Sequence, residues 1–347
     1  MSVDIVLWLV QDGVTNGAIY ALLALALLLV FAVTRVIFVP QGEFISYAAL
    51  SLSLLQAGTL PGTVYVLAGG GVVAAAFDIA LAVRERALAR LPRILALYVL
   101  LPLAMAAIAW WAAPRKLDLW LQVLIVLGLV VPLGPILYRI CYQPLASASI
   151  LVLFIISMAA HYALTGLGLV FFGGEGLRSQ AFSEAQYRLG VLNISAQSIW
   201  VVLASLVVMV GLWFFFERTI YGKALRATAI NRIGARLSGI PTELCGSLSF
   251  TLAALIGAVS GVLISPITTI YYDTGFLIGL KGFVGAILGG MGSYPLAVVG
   301  AVGVGLLESF SSFWASTLKE SIVFTIIIPV LVWRSLASRH VEEEEGE

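Results

Sequence analysis

Few side chains in this sequence are equipped for chemistry, and they are scattered through long apolar runs. Glu43 follows Pro40-Gln41-Gly42, a stretch that breaks a helix. A carboxylate there suits the positive end of the next helix, and it equally suits a polar path or gate. Asn16, Thr15 and Gln41 offer amide and hydroxyl groups to a polar solute or to a neighbouring helix. His161 sits within an apolar run; a hydrogen-bonded contact between helices is the plain reading and a proton relay the sharper one. Glu308 follows Gly300, Gly303 and Gly305, which allow close helix approach, and Lys281 on a preceding segment is its candidate partner. Asp78 stands near Arg84 and Arg86. No second histidine or carboxylate lies three or four residues from His161, so protease-type metal spacing is absent. Cys141 and Cys245 are far apart and read as packing residues. No catalytic residue and no metal site is assigned.

These residues are set in a chain of 347 residues with 61% hydrophobic and 11% charged side chains. Soluble domains run at roughly 45–50% and about 25%. Mean hydropathy is +1.07. So little charge cannot solvate so much apolar surface, which excludes an ordinary soluble enzyme, a nucleic-acid binder and a disordered scaffold. Net charge is +1, so bulk charge selects no partner. The start of the chain lacks a basic region and carries Asp4, so it reads as the first span rather than a secretory leader.

A bilayer core needs about 20 apolar residues per helix. The apolar runs divide into segments at 5–34, 43–57, 62–83, 94–114, 118–138, 149–173, 196–217, 243–270, 276–292, 294–315 and 317–335. Two of them, 43–57 and 276–292, are short enough to be half-helices or re-entrant pieces. The expected fold is all-α: a polytopic transmembrane helical bundle of about 8–11 membrane segments, half-helices included. One transmembrane domain would fill 1–340. Residues 174–193 form the largest polar loop on one side, long enough for a small plug or short helix. Residues 80–125 read as an extra hairpin with Trp110, Trp111 and Trp120 at an interface. Residues 341–347 form an acidic, disordered tail.

The 19 basic residues divide unevenly. Arg35, Arg84, Arg86, Arg90, Arg93, Arg139, Arg218, Lys223, Arg226, Arg232, Arg236, Arg334 and Arg339 collect on one side. Arg115, Lys116, Arg178, Arg188 and Lys319 collect on the other, and Lys281 sits within a segment. The positive-inside tendency then places the N-terminus outside and the C-terminus in the cytoplasm.

Residues 217–241 are too polar to span. Apolar residues at helical spacing, among them Ile233, Leu237 and Ile240, give an amphipathic segment closed by Gly239 and Pro241. A basic amphipathic helix lies on anionic headgroups or docks a cytoplasmic partner. Here Arg226-Ala227-x-Ala229-x-Asn231 followed by Ala235-x-Leu237-x-Gly239-Ile240 resembles the coupling loop of the branched-chain (hydrophobic and amide) amino-acid ABC importer permeases. So do Asp12-Gly13-x-x-Asn16-Gly17-x-Ile19-Tyr20-Ala21-Leu22, Gln41-Gly42-Glu43-Phe44, the run from Lys281-Gly282-Phe283 to Gly292-Ser293, and Glu308. Arg139-x-x-Tyr142-Gln143-Pro144-Leu145 is a weaker fifth match. The Gly-Glu-Phe form is similar to the first of the two permease types that pair in such transporters. Phe38-Val39-Pro40-Gln41 stands where that family usually carries Asn-Phe-Ala-His.

The resemblance implies an inner-membrane, multi-pass permease subunit that works by alternating access. It implies a second permease subunit, two cytoplasmic ATPase subunits, a periplasmic solute-binding protein and surrounding membrane lipid as partners, with no nucleic acid. The chain has no Gly-x-x-x-x-Gly-Lys-Ser/Thr. No cofactor is therefore assigned to it, and ATP would be bound by the partners. Coupling would fall to Arg226, Ala229, Asn231, Arg232, Ala235 and Gly239, and the solute pathway to Asn16, Gln41, Glu43 and Glu308. The solutes implied are branched-chain or other amino acids, amides, urea or a related carboxylate. A stand-alone secondary transporter or channel is the alternative, with Asp78, Asp273, Glu43 and Glu308 as its ion-coupling candidates. An intramembrane enzyme lacks the convergent groups it would need.

Overall fold

The longest charge-poor runs fold as helices, since helices alone satisfy every backbone polar group within an apolar slab. The computed structural model describes residues 3–342 apart from 116, 190–191 and 291. Lys116 and Met291 therefore lie outside the described residues, as do 343–347 of the expected tail, whereas Val341 and Glu342 belong to the last helix. Among those described, nine helices are long and apolar enough to cross a membrane.

In chain order the helices are α1 (Val3–Thr34), α2 (Gln41–Gln56), α3 (Thr63–Arg84), α4 (Leu91–Ala112), α5 (Leu119–Leu145) and α6 (Ile150–Phe172). A hairpin of β1 (Gln186–Leu189) and β2 (Leu192–Ser195) follows. Then come α7 (Ala196–Arg218), α8 (Ile220–Ile230), α9 (Arg232–Leu237), α10 (Thr242–Ile264), α11 (Thr274–Leu288), α12 (Tyr294–Trp314), α13 (Lys319–Thr325) and α14 (Ile327–Glu342). The two short segments expected from sequence are α2 and α11. Residues 80–125 cover the end of α3, all of α4 and the first turns of α5.

Several boundaries differ from the sequence expectation for identifiable reasons. α10 stops at Ile264, not near residue 270, because Pro266 blocks its continuation. Ile270 instead exchanges backbone hydrogen bonds with Leu177. The loop at 174–193 yields strand rather than a short helix: Tyr187 pairs with Ile194 and Gln186 with Ser195. α5 is kinked by Pro132 and continues through a π-helical turn at Tyr138–Tyr142. A second π-helical turn lies in α4 at Ala96–Leu100.

Contacts define the two ends of the bundle. At one end Arg139 meets Asp78, Gln143 meets Glu243, Arg232 meets the Ala146 carbonyl, and Phe216 stacks on Tyr294. At the other Gln56 meets the Gln180 backbone, Arg178 meets the Pro266 carbonyl, and Trp120 packs on Phe182 and Trp200. Asp78 thus pairs across to α5 and not with Arg84 or Arg86. Six residues along a helix turn about 240°, which carries Arg84 off the face of Asp78.

α2 forms the centre. α5, α10 and α11 pack around it, and Phe44, Ile45, Ala48, Leu50 and Leu52 are almost fully buried. α1 runs against α12, α10 and α11. The approach is closest where α2 crosses α11: a Cβ on Gly42 would lie 2.2 Å from the Gly275 carbonyl oxygen, so only glycine fits.

Candidate functional site

α1 ends where the Thr34 hydroxyl bonds the Val30 carbonyl and Arg35 takes a left-handed φ of 61°. The chain then runs non-helically to Pro40 and starts α2 inside the protein. Gln41 Nε2 donates to the carbonyl of Ala253, the middle of α10, at 2.9 Å. Glu43 Oε1 meets Nδ1 of His161, the middle of α6, at 2.5 Å. Both first-turn residues therefore lie deep in the bundle, each 1% exposed. The His161 ring stacks on Phe276 of α11, with centroids 4.4 Å apart. The histidine thus joins α6 to α2 and α11, the interhelical role that its position in an apolar run suggested.

Beside this pair a groove of about 420 Å³ opens between α6, α11 and the 37–41 segment. Phe154 and Met158 form one wall, and Phe276, Gly279, Leu280 and Phe283 the other. Gln41 is its one strongly polar lining residue, and the amide oxygen of Gln41 is buried without a hydrogen-bond partner, as is Glu43 Oε2. The groove thus pairs apolar walls with a single amide at one edge.

A second polar cluster lies across α11 from the groove. Lys281 Nζ donates to Glu308 Oε1 at 2.5 Å and to Glu320 Oε1 at 3.1 Å. The Tyr20 hydroxyl donates to Glu308 Oε2 at 2.5 Å. The pairing of Lys281 with Glu308 anticipated from sequence is present, and it ties α1, α11, α12 and α13 together. Asn16 is half-buried on α1, one turn before Tyr20. The four pathway candidates therefore do not converge: Gln41 lines the groove, Glu43 is held by His161 and does not line it, and Glu308 belongs to the ion cluster.

At the basic end α8 and α9 form an elbow. Thr219 caps α8, its hydroxyl accepting from the Gly222 amide, and Asn231 caps α9, its Oδ1 accepting from the Gly234 amide. Asn231 therefore marks the break between the two helices. Arg226 is half-exposed and braces the elbow, bonding Glu217 and the Phe216 carbonyl. Arg232 reaches the Ala146 carbonyl at 3.0 Å. Ala235 is buried, Ala229 is half-buried, and Gly239 closes α9 with φ 81°. These coupling candidates mostly build the elbow. Its outer surface is carried by Ile230, Ile233 and Leu237, which are 84%, 75% and 85% exposed. Beside them runs a cleft of about 630 Å³ that includes Arg232, Arg236 and Glu243.

Sequence reasoning named Tyr20 only within a motif and did not single out Glu320 or Phe276. The only sequence signal for the Glu43–His161 partnership was that each is an ionisable residue in an apolar run, which must find a partner.

A family profile described as branched-chain amino acid transport system, permease component, matches residues 9–332. The high-affinity branched-chain amino acid transport system permease protein LivH of Escherichia coli is 30% identical over 203 residues, covering 56% of this chain and 65% of that protein. BraD of Pseudomonas aeruginosa, described in the same words, is 34% identical over 143 residues, 41% of this chain and 47% of that protein. The L-arabinose transport system permease protein AraH of Escherichia coli is 26% identical over 167 residues, 45% and 48%. The alignments thus span between about half and two thirds of these relatives' lengths. With a profile match along nearly the whole chain and a helical bundle of the expected class, the chain belongs to the family of branched-chain amino acid transport system permease components.

Proposed function

We propose that this chain is the permease subunit of an ATP-driven importer in the bacterial inner membrane. Its solutes are branched-chain amino acids or related small polar molecules such as amides. The elbow carries the reading: three large apolar side chains, Ile230, Ile233 and Leu237, stand exposed beside Arg232 and Arg236 at the basic end of the bundle. Exposed apolar residues rimmed by charge mark a protein-docking surface. Placing that end in the cytoplasm follows the positive-inside tendency and leaves the N-terminus outside and the C-terminus inside.

The occupants of the elbow are two cytoplasmic ATPase subunits, one for this chain and one for a second permease subunit. A periplasmic binding protein delivers solute at the opposite end. The groove beside Gln41 suits a branched apolar side chain with its ammonium turned toward the buried acceptors. ATP-driven closure of the ATPases displaces the elbow and switches access to the groove.

Extraction in mild detergent, followed by mass spectrometry of what co-purifies, tests this. A second permease and P-loop ATPases are expected with the unaltered chain, and Leu237→Asp is expected to remove the ATPases without lowering thermal stability. A homo-oligomer that transports in liposomes with no ATPase refutes the reading and favours a secondary transporter.

A further inference from the structure

The elbow end holds a second cleft, apart from the groove beside Gln41. It measures about 380 Å³ and lies between α3, the start of α4, and α5 where it passes Arg139. Its charged lining carries one more cation than anion: Arg90, Arg93 and Arg139 against Asp78 and Glu243, with Tyr98 and Gln143 beside them. Both carboxylates are already engaged, Asp78 by Arg139 and Glu243 by Gln143. Arg90 shares Glu85 at 3.0 Å in an exposed pair that adds little stability. Arg93 is exposed and meets no carboxylate among the described residues. Arg84 and Arg86 stand exposed nearby, at the end of α3 and in the turn beyond it.

The other lining is apolar: Leu81, Ile94 and Leu97. The cleft is therefore amphipathic, guanidiniums toward the bundle end and aliphatic walls below. Large apolar side chains continue outward on the same helices, with Leu97, Leu100 and Leu101 of α4 and Phe77 of α3 exposed. Two local distortions shape it. Tyr98 lies in the π-helical turn of α4 and Arg139 in that of α5, and such turns concentrate at functional sites. The bulge at Tyr98 is fitted to α3, since a Cβ on Gly71 would fall 2.3 Å from the Tyr98 carbonyl oxygen.

We propose that this cleft binds the phosphate-bearing headgroup of an anionic phospholipid. The phosphate lies against Arg90 and Arg93, and the glycerol backbone and first methylenes lie along Leu97 and Ile94. A free phosphate or a soluble nucleotide finds the same charges but has no use for the aliphatic wall. The position at the ends of two membrane-crossing helices, where a headgroup sits, selects the lipid.

Native mass spectrometry of the full chain in mild detergent, titrated with phosphatidylglycerol or phosphatidylcholine, tests the assignment. Tight retention of phosphatidylglycerol over phosphatidylcholine is expected. Each exposed arginine lost weakens retention about fivefold, and Arg90→Gln with Arg93→Gln about 30-fold. Arg115→Gln leaves retention unchanged, because Arg115 stacks on Trp111 away from the cleft. Equal retention of the two lipids, or retention that the double substitution does not alter, overturns the proposal. Displacement of the lipid by millimolar inorganic phosphate also overturns it, by showing a soluble-anion site.

Discussion

Replacing Lys281 by Met removes the one cation from a buried cluster and leaves two carboxylates, Glu308 and Glu320, facing each other across the space. The Lys281 side chain is only 7% exposed and that of Glu308 11%, so solvent does little to screen that pair, whereas Glu320 is 37% exposed and is screened. Removing one partner of a buried pair costs about 3–5 kcal/mol, most of it the penalty of an uncompensated charge. Glu308→Gln is milder. It keeps an acceptor for the Tyr20 hydroxyl and leaves Lys281 with Glu320, so a loss of roughly 2 kcal/mol is expected. In Lys281→Met/Glu308→Gln the stranded charge on Glu308 is gone. The double variant should therefore be less damaged than the sum of the singles, by about 2 kcal/mol. Thermal unfolding of the purified chain, followed by tryptophan fluorescence, reads this directly. At ~2 °C per kcal/mol, Lys281→Met lowers Tm by roughly 6–10 °C and the double variant recovers part of that. Additivity within about 0.5 kcal/mol, or a Lys281→Met effect below ~1 kcal/mol, would refute the claim that this lysine is held by its carboxylates.

Other substitutions separate packing, pairing and conformation. Gly42→Ala places a methyl group against the Gly275 backbone and is expected to cost about 3 kcal/mol, whereas Gly166→Ala, with open space around it, should be neutral or stabilise by up to ~1 kcal/mol; the two Tm values decide. His161→Phe keeps an aromatic ring on Phe276 but strands Glu43, so Tm falls by roughly 6–10 °C and Glu43→Leu in the same chain restores most of it. Gly239→Ala strains a left-handed position by about 1–2 kcal/mol, seen as faster proteolysis within the elbow.

The spans were legible in the sequence because the bilayer requirement writes itself as charge-free length, and the basic asymmetry marked one end. The short segments were legible for the same reason: α2 and α11 lack the residues to cross. Pairings were legible only where few choices existed, as for Lys281 and Glu308. Asp78 misled because arginines adjacent in sequence looked near, while helix rotation gave the contact to Arg139, 61 residues away. The groove left no local signature, since its walls come from α6 and α11 and its floor from α2. Asn231 was noted for its resemblance, yet its capping role depends on an extended backbone at that residue, φ −146° and ψ 100°, which apolar periodicity does not report.

The packing also says which parts move together. α10 begins at the elbow, just past Gly239, and its middle carbonyl holds Gln41. Along the same face a Cβ on Gly261 would lie 2.3 Å from the Ile45 carbonyl oxygen, so α10 and α2 are seated backbone to backbone. α2 is seated in the same way on α11 through Gly42 and Gly275. Backbone contacts this close do not slide without unpacking. α6 is different: it is joined to α2 by the Glu43–His161 pair and by the Tyr47 hydroxyl on the Leu164 carbonyl, both side-chain links. On the function proposed above, a displacement of the elbow would pass through α10 and α2 to α11 as one body, and the groove would open or close against α6. The expected signature is a distance that depends on ATP. With Cys141→Ala and Cys245→Ala as background, Phe154→Cys and Leu280→Cys face each other across the groove. A short thiol cross-linker should join them in one nucleotide state of the assembled transporter and not in the other. Equal cross-linking in both states would show that α6 travels with α11, and the groove would then be a fixed cavity rather than a gate.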